Sequence, residues 1–383
     1  MFKNKELWLK KILPAIGAGV LGAIVLVGGI SLWKSYRRVV VVANKVIEPR
    51  PEADQPVAET ATPTPDPDRD FSVLLLGYAG GEHDGAGLTD SMILVTVQPK
   101  KERLVLTSIP RDLWVRLPLS QDDLEEHWYK INAAYVLGKD DERFNNKAVE
   151  FTGPAGGGEL VKSVVSDITG IDIDYFLAVD FTGFMGAIDK LGGIKVYVPV
   201  AFSDPWFPIE GKEDDICEKS PEEIIAIEAS LSGVKLEEEF TCRYEELVFD
   251  RGLVEMDGET ALKFARSRHS DVYGGDFGRS DRQRLVIEAV KSKIMSIGFL
   301  PNVIPLLNQL SWHVQTDVDL GQMKKWIDRA DEFLDYEIIS TALTEKNVLM
   351  QSRSEAGQFI LTSIDGRDVW MSVQNYMEEI LIN

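Results

Sequence analysis

Short apolar runs alternate along residues 71–200 with longer segments in which apolar side chains recur every three or four positions. Short apolar runs are typical of buried strands, and the three-to-four spacing is typical of helices that bury one face. The predicted strands are 71–77, 91–97, 103–109, 175–179 and 194–200. The predicted helices are 130–137, 158–169 and 181–191, the last capped by Asp180. This alternation predicts an α/β fold in which helices cover a mixed or parallel sheet.

The same patterns continue in the last third of the chain. We predict a helix that begins near Asp257, a turn at 273–275, and a second helix from about Phe277. Residues 297–383 contain a further helix around Trp326, a strand at 336–342 and a final amphipathic helix. We interpret residues 297–383 as a C-terminal extension of the same domain.

One uncharged stretch stands out in the N-terminal region. Residues 14–33 carry no charge over twenty positions, which is about the length of helix that crosses a bilayer core of roughly 30 Å. Lysines and arginines flank the stretch on both sides, which disfavours a buried core helix. We predict a single uncleaved transmembrane helix. The alternative is a signal peptide cleaved at the poor site 41–43.

The orientation of this anchor does not follow from charge, because similar numbers of lysines and arginines precede and follow it. Residues 1–13 are too short to fold, whereas long domains are translocated largely regardless of charge. We therefore predict a cytoplasmic head at 1–13 and an extracytoplasmic domain. Residues 34–70 are rich in proline and threonine, and we predict that they form a solvated linker.

Net charge limits the class of partner. The chain carries 41 Lys and Arg against 62 Asp and Glu, for a formal net charge of −21. A body of this charge repels nucleic acid, and the sequence has no helix-turn-helix or zinc-finger spacing, so nucleic acid is excluded as a partner. Cys217 and Cys242 lie in an acidic segment, 203–250, that we interpret as an insertion. They form either a disulfide, as suits an extracytoplasmic domain, or two free thiols.

Arginine is concentrated in residues 264–284, FARSRHSDVYGGDFGRSDRQR, which contain five arginines, three aspartates and no lysine. Arginine presents a planar set of donors that matches the edge of a phosphate or carboxylate, so an all-arginine set favours an anion-binding site. The alternative is a network of ion pairs between these arginines and Asp271, Asp276 and Asp281. Asp276 is compatible both with a helix cap and with a catalytic base.

Two further charged side chains lie at the ends of predicted strands. Asp90 stands just before the strand 91–97, and Arg111 follows the strand 103–109. Strand ends in an α/β sheet are a usual location of binding and catalytic sites. The loop 78–89 contains four glycines but lacks the lysine of a Walker-type phosphate-binding loop.

Seven motifs occur in order along residues 71–296: LLLG, LTDSMILVTVQPK, SIPRDLWV, KINAAY, DFTGFMGAIDKLGGIKVYVPV, DGETALKFARSRHSD and DFGRSDRQR. With these motifs the chain resembles the LytR-CpsA-Psr family of bacterial cell-wall glycopolymer transferases. The resemblance implies a three-layer α/β/α domain with a central mixed sheet and an apolar pocket for a polyprenyl chain. It also implies a phosphotransferase that moves a glycan phosphate from a polyprenyl pyrophosphate carrier to peptidoglycan, with Mg²⁺ as cofactor.

The resemblance assigns roles to individual residues. Asp90 is expected to bind the metal, Asp276 to act as the base toward the acceptor hydroxyl, and Gln283 to support that base. The pyrophosphate is expected to be bound by Arg111, Arg266, Arg268, Arg279 and Arg282. Together a metal and several arginines would neutralise the charge of phosphoryl transfer.

The chain departs from the family pattern at two positions. An aspartate usually stands two residues after the glycine of the first motif, where this chain has Ala79, and Asp84 or His83 is expected to replace it as a metal ligand. Leu88 stands where an arginine commonly precedes the Thr-Asp pair. Two other functions stay open: a pyrophosphatase that uses water as acceptor, and a non-catalytic scaffold that binds the lipid-linked glycan.

Overall fold

The computed structural model describes residues 68–81, 85–122, 126–212, 214–231, 234–296, 310, 312–319, 321–322, 325–326, 329, 332 and 336–382. The predicted head, transmembrane helix and most of the linker lie outside the described residues, as do His83 and Asp84. Among the residues described, no helix combines the length and the apolar character needed to cross a membrane.

The described residues form two compact units. The first unit comprises the residues up to Leu191 and from Val290 onward, and the second unit comprises Gly192–Ala289.

The strands, in chain order, are β1 (Phe71–Tyr78), β2 (Thr89–Gln98), β3 (Arg103–Ser108), β4 (Trp114–Arg116), β5 (Trp128–Lys130), β6 (Tyr175–Asp180), β7 (Ile194–Val198), β8 (Phe202–Pro208), β9 (Tyr244–Phe249), β10 (Gly252–Met256), β11 (Val314–Thr316), β12 (Glu337–Ala342), β13 (Leu349–Arg353) and β14 (Phe359–Ser363). The α-helices are α1 (Ala134–Lys139), α2 (Gly156–Thr169), α3 (Phe181–Lys190), α4 (Pro221–Ser230), α5 (Val234–Glu237), α6 (Gly258–Arg266), α7 (Gly275–Ser296) and α8 (Met371–Ile382).

A six-stranded sheet in the order β11-β6-β1-β2-β3-β12 forms the centre of the first unit. β1 pairs with β6 in parallel and β3 pairs with β12 in parallel, whereas the β1–β2, β2–β3 and β6–β11 pairs are antiparallel. The sheet is therefore mixed. The predicted α/β class with a central mixed sheet is confirmed.

Both faces of this sheet are buried. Leu74 and its cross-strand partner Leu94 belong to the main apolar core, together with side chains of α2 and α8. Val73 points to the opposite face and is also fully buried. On that face Trp326 stacks on the ring of Phe71 at 5.2 Å. Continuous apolar runs without polar alternation, such as LLL in β1, follow from burial on both faces.

The C-terminal residues are part of the sheet and its packing. β12 adds an edge strand beside β3, and α8 packs on α2. The last carbonyls of α8 are bound by side chains just before and at the start of β3: Lys101 donates to the carbonyl of Ile382 at 2.7 Å, and Arg103 donates to that of Leu381. Cations at a helix C-terminus satisfy unpaired carbonyls and complement the helix dipole.

Replacing Arg103 with glutamine is expected to lower the free energy of unfolding by about 1–3 kcal/mol, because a buried charged donor to the end of α8 is lost. Arg103 is 6% exposed, and its Nε also donates to Gln98 at 2.7 Å. Urea denaturation monitored by tryptophan fluorescence measures the change. Arg116→Gln is the control, since its side chain is 55% exposed and lies 3.7 Å from Asp368; we expect less than about 0.5 kcal/mol there.

The second unit contains two antiparallel strand pairs, β7–β10 and β8–β9, and the arginine-rich stretch. The segment interpreted as an insertion begins in β8 and ends after β9, so its two ends pair with each other. Phe202 of β8 and Phe249 of β9 stack at 5.2 Å, and both rings pack on Phe264 of α6. Between the two strands, Cys217 and Cys242 form a disulfide.

Candidate functional site

The arginine-rich stretch 264–284 folds as the end of α6, a turn and the start of α7. α6 begins where the sequence predicts it, because the Asp257 carboxylate accepts a hydrogen bond of 2.8 Å from the backbone N–H of Thr260. α7 begins at Gly275, slightly before the predicted start. Arginines therefore lie on both sides of one turn.

This turn is tight and depends on its backbone conformation. The N–H of Gly275 donates to the carbonyl of Arg268 at 2.9 Å, and Tyr273 adopts the left-handed conformation with φ of 64°. A Cβ on Gly274 would lie 1.8 Å from the carbonyl oxygen of Ser270, so no larger residue fits there without rearrangement. The path of the chain between the two helices is consequently fixed by local geometry.

A buried carboxylate in β8 holds the residues that follow α6. Asp204 is fully buried, and its Oδ2 accepts hydrogen bonds from the Ser267 hydroxyl (2.8 Å), the Arg268 N–H (2.7 Å) and the His269 N–H (3.0 Å). Burial alone would raise the pKa of Asp204, but these bonds, with one from the Trp206 N–H, outweigh it and hold the pKa below its usual value. Asp204 stays ionised and fixes the segment that carries Arg268.

Sequence reasoning did not single out Asp204. The sequence does carry a sign of its burial, because Asp204 is the one acid in the apolar run AFSDPWFPI at residues 201–209. A carboxylate inside a strand that is otherwise buried must find hydrogen-bond donors. Which donors it finds depends on the pairing of distant segments, and the sequence does not supply that information.

Arg282 is placed differently from the other arginines. Its side chain is fully buried, its Nη1 donates to the carbonyl of Tyr273 at 2.6 Å, and its Nη2 donates to the carbonyl of Ser267. The guanidinium lies over the ring of Phe202 at 4.9 Å, a cation–π contact. Burial lowers the pKa of Arg282 to about 10, which still leaves it charged at neutral pH.

Part of the stretch is an ion-pair network, as the alternative interpretation of the sequence proposed. Arg284 donates from Nε to Asp281 at 2.9 Å and from Nη1 to Glu288 at 2.6 Å. The hydroxyl of Tyr273 also donates to Asp281, and burial together with this bond raises the pKa of Tyr273 above its usual value. These contacts tie the turn to the outer side of α7.

Three further arginines of the stretch lie in or directly beside the two helices that flank the turn. Arg266, Arg268 and Arg279 are half-buried, and Arg266 lies over the ring of Phe207 at 5.5 Å. Gln283, one turn beyond Arg279 on α7, is 8% exposed. The second unit thus presents a group of arginine side chains on a segment whose backbone is held by Asp204 and Arg282.

Asp276 lies in the first turn of α7, beside the tight turn. Its side chain is outside the described part of the structure, so the assignment as cap or as base stays a prediction. Its position in the chain places it three residues before Arg279 and therefore on the neighbouring turn of the same helix.

In the first unit the structure brings Asp90 and Arg111 together. β2 and β3 run antiparallel, so the start of β2 and the residues after β3 meet at one edge of the sheet. Arg111 donates from Nη1 to the Asp90 Oδ1 at 2.7 Å. Asp112 beside it is bound by Lys130 at 2.6 Å. The sequence predicted both Asp90 and Arg111 as site residues but did not predict their ion pair.

The described residues supply little more for a metal ion. The cluster of three possible ligands among them is Asp215 with Cys217 and Cys242, whose sulfurs are joined in the disulfide and are unavailable as thiolates. Asp90 engages Arg111 through Oδ1, and its side chain is 29% exposed. Mg²⁺ is often held by one or two carboxylates together with substrate phosphates and water, so Asp90 fits this ion as a single carboxylate ligand.

Ala79 stands where the family usually has its second metal aspartate, and it follows Tyr78, which lies beside Asp180, the residue that contacts His313. Tyr78, the last residue of β1, pairs with Asp180 at the end of β6. Asp180 caps α3 by accepting from the Gly183 N–H at 2.8 Å, and its other oxygen contacts His313 Nδ1 at 2.8 Å. Burial raises the pKa of Tyr78 to about 12, so its hydroxyl stays protonated.

Comparison with known proteins gives a consistent result. A model described as the LytR_cpsA_psr family matches residues 36–375. The polyisoprenyl-teichoic acid–peptidoglycan teichoic acid transferase TagU of Oceanobacillus iheyensis is 29% identical over 311 residues, which cover 81% of this chain and 78% of the relative.

Two solved structures share the fold. The crystal structure of TagV from B. subtilis has a TM-score of 0.52 at 24% identity and covers 82% of this chain and 98% of that chain. A structure of TagT bound to LIIa-WTA has a TM-score of 0.51 at 21% identity and covers 83% of this chain and 92% of that chain.

Proposed function

Because the chain belongs to the LytR-CpsA-Psr family, we propose that it is a membrane-anchored phosphotransferase that moves a glycan phosphate from a polyprenyl pyrophosphate carrier to peptidoglycan. The relative TagU is named for transfer of teichoic acid to peptidoglycan, and a TagT structure is named for a bound ligand, LIIa-WTA. A glycan attached through phosphate to a polyprenyl carrier is the class of donor that agrees with these names.

The observation that carries the proposal is the arginine segment of the second unit. In a chain with a net charge of −21, three half-buried arginines, Arg266, Arg268 and Arg279, are concentrated around one rigid turn. Asp204 fixes the backbone at one of them, Arg268. Prearranged guanidinium groups are the expected ligands of a pyrophosphate, which carries several negative charges and offers bidentate edges.

The proposed reaction breaks one P–O–P bond and forms one P–O bond. An acceptor hydroxyl attacks the phosphorus that carries the glycan, and polyprenyl phosphate leaves with the bridging oxygen. We propose that Asp276 accepts the hydroxyl proton, supported by Gln283, and that Arg266, Arg268 and Arg279 hold the charged oxygens. Positioning and charge neutralisation are the main contributions a protein makes to phosphoryl transfer.

We propose Mg²⁺ as the cofactor, held by Asp90 and, outside the described residues, by Asp84. When bound, Mg²⁺ would neutralise charge on the pyrophosphate oxygens. Arg111 orients the Asp90 carboxylate by its 2.7 Å hydrogen bond and adds a further positive charge for the pyrophosphate. Ala79 offers no ligand at the position of the family's usual aspartate.

We also propose that residues 14–33 anchor the chain in the membrane and that the folded part lies outside the cytoplasm. The disulfide between Cys217 and Cys242 supports this location, because disulfides persist in oxidising compartments. Burial of both faces of the central sheet supports the finer prediction of a three-layer α/β/α domain.

The test is a transfer assay with the full-length chain in detergent micelles. A radiolabelled glycan on a polyprenyl pyrophosphate is incubated with Mg²⁺, with and without peptidoglycan, and lipid and wall products are separated. The proposal expects label on peptidoglycan and release of polyprenyl phosphate in equal amounts. Release without label on the wall indicates a pyrophosphatase, and donor binding without release indicates a scaffold; either result rejects the transferase.

A further inference from the structure

Arg282 is the arginine of the stretch that is least suited to bind a substrate directly. Its side chain is 0% exposed. Both terminal nitrogens already donate to backbone carbonyls, those of Ser267 and Tyr273. Each of these nitrogens keeps a second N–H, but the guanidinium is completely enclosed, so a phosphate oxygen could reach it only if the residues around it moved.

The two carbonyls that Arg282 binds lie at the two ends of the turn. Ser267 stands between Arg266 and Arg268, and Tyr273 lies two residues before the first residue of α7. Arg282 itself belongs to α7. One side chain thus links the end of α6, the turn and the helix that carries the third half-buried arginine of the second unit.

The turn needs such support. Tyr273 is held at φ of 64°, a conformation that costs a non-glycine residue about 1 kcal/mol or more. A Cβ on Gly278 would lie 2.0 Å from the Tyr273 carbonyl oxygen, so α7 packs directly against the strained residue. The hydrogen bond from Arg282 Nη1 to that same carbonyl holds it in this position.

The charge of Arg282 is not cancelled by a contact with an acid. Within the part of the chain that the structure describes, no carboxylate forms an ion pair with it, and its Nε is buried without an acceptor. The guanidinium is enclosed instead by carbonyls and by the faces of Phe202 and Tyr273, at 4.9 and 5.4 Å. The guanidinium is therefore held inside the second unit by carbonyls and rings and does not reach solvent.

We propose that Arg282 is a positioning residue: it does not touch the substrate but holds the turn so that Arg266, Arg268 and Arg279 present a preformed site for a pyrophosphate group. This inference rests on the proposed function, and it changes the role that the family resemblance gives to Arg282. Its consequence is that Arg282 acts through the other arginines and has no independent effect on anion binding.

The experiment measures binding of inorganic pyrophosphate to the full-length chain in detergent by isothermal titration calorimetry, well below the melting temperature of every variant. Arg282→Lys keeps the charge but cannot bind both carbonyls in the geometry of a guanidinium. We expect affinity to fall about tenfold in Arg282→Lys and about tenfold in Arg268→Lys. The double variant should bind about as weakly as the weaker single variant. Arg284→Lys, two residues further along α7, is the control and should change affinity less than about twofold.

Losses that multiply in the double variant, or an unchanged affinity in Arg282→Lys, would overturn the positioning role. A general loss of folding gives a different result, since it lowers the melting temperature and the number of binding sites rather than the affinity. If the wild-type chain binds no pyrophosphate, the proposed function fails and the inference fails with it. If the wild type binds pyrophosphate but the affinity losses of the two single variants multiply in the double variant, only the inference fails.

A structure of the wild-type chain with pyrophosphate tests the same inference without any substitution. The positioning role expects phosphate oxygens on the half-buried arginines and both terminal nitrogens of Arg282 still on the carbonyls of Ser267 and Tyr273. A phosphate oxygen within hydrogen-bond distance of Arg282, including its buried Nε, would show direct binding. This measurement decides the question even if Arg282→Lys does not fold.

Discussion

Replacing Asp204 with asparagine is expected to lower the stability of the second unit by about 3 kcal/mol and to abolish most of its anion binding. The Asp204 Oδ2 accepts three hydrogen bonds, from Ser267, Arg268 and His269. The other oxygen, Oδ1, accepts from the Trp206 N–H. An asparagine cannot accept at both positions, because one of its two terminal atoms is an NH₂ group, a donor that would face the N–H donors around it. Thermal and urea unfolding measure the stability, and calorimetry with pyrophosphate measures the anion site.

This prediction includes a dependence on pH. The pKa of Asp204 is lowered in the folded state, so its ionised form contributes stability above the ordinary value of 3.8 and loses that contribution as the pH falls through the folded-state pKa. The stability difference between the wild type and Asp204→Asn should therefore be constant near neutral pH. It should shrink once the pH falls below about 4. A difference that grew toward low pH would contradict the assignment of Asp204 as the ionised acceptor.

The control for Asp204 is another aspartate of the same unit. Asp250 lies directly after β9 and is exposed. Asp250→Asn removes the same charge from the chain but no buried hydrogen bond, and we expect a change within about 0.5 kcal/mol. A loss in Asp250→Asn as large as that in Asp204→Asn would assign the effect to net charge rather than to the buried contacts.

The sequence predicts β1, β2, β3 and β6 of the central sheet well because each contains a short apolar run, but it does not predict the three-residue edge strand β11. LLL in β1 has no polar alternation: Leu74 and Leu76 are buried on one face of the sheet, and Leu75 is half-buried on the other. The order of the strands was not predictable. β12 lies beside β3 although more than two hundred residues separate them, and such pairing depends on the packing of the whole unit.

The arginines show where sequence reasoning ends. Arg279 and Arg282 lie three residues apart on one helix, and spacing alone gives them the same face and the same role. The structure leaves Arg279 half-buried and encloses Arg282 completely. The difference arises from contacts with Phe202 and Ser267, which come from other elements of the second unit. Only tertiary packing separates the half-buried arginine from the one that is enclosed and bound to backbone carbonyls.

The burial of Asp204 could not be predicted from the sequence either. The acidic content of residues 203–250 favoured an insertion. The structure instead uses the two ends of this segment, β8 and β9, to form the support under α6. Composition describes the solvent-exposed middle of the segment correctly, but it does not reveal that a single acid at its start is buried.

Asp276→Asn is expected to reduce glycan transfer by about 10²–10⁴-fold while leaving binding of the polyprenyl pyrophosphate donor nearly unchanged. A general base acts on the proton of the attacking hydroxyl, so its loss affects the chemical step rather than the pyrophosphate contacts. The start of α7 suits this role, because the N-terminal N–H groups and the nearby arginines favour charge on the phosphate while the acceptor approaches. Single-turnover transfer and equilibrium binding of the donor, measured on the same preparations, separate the two effects.

Asp271→Asn is the matched control, because Asp271 lies in the same turn and is exposed. We expect it to keep transfer within about twofold of the wild type. Equal losses in both variants would indicate that acidity of the turn in general matters, and unchanged transfer in Asp276→Asn would exclude it as the base. The pair also separates the enzyme from a scaffold. A scaffold binds the donor in the wild type and in both variants and transfers glycan in none of them. A transferase transfers more slowly in Asp276→Asn than in Asp271→Asn, although both variants bind the donor with similar affinity.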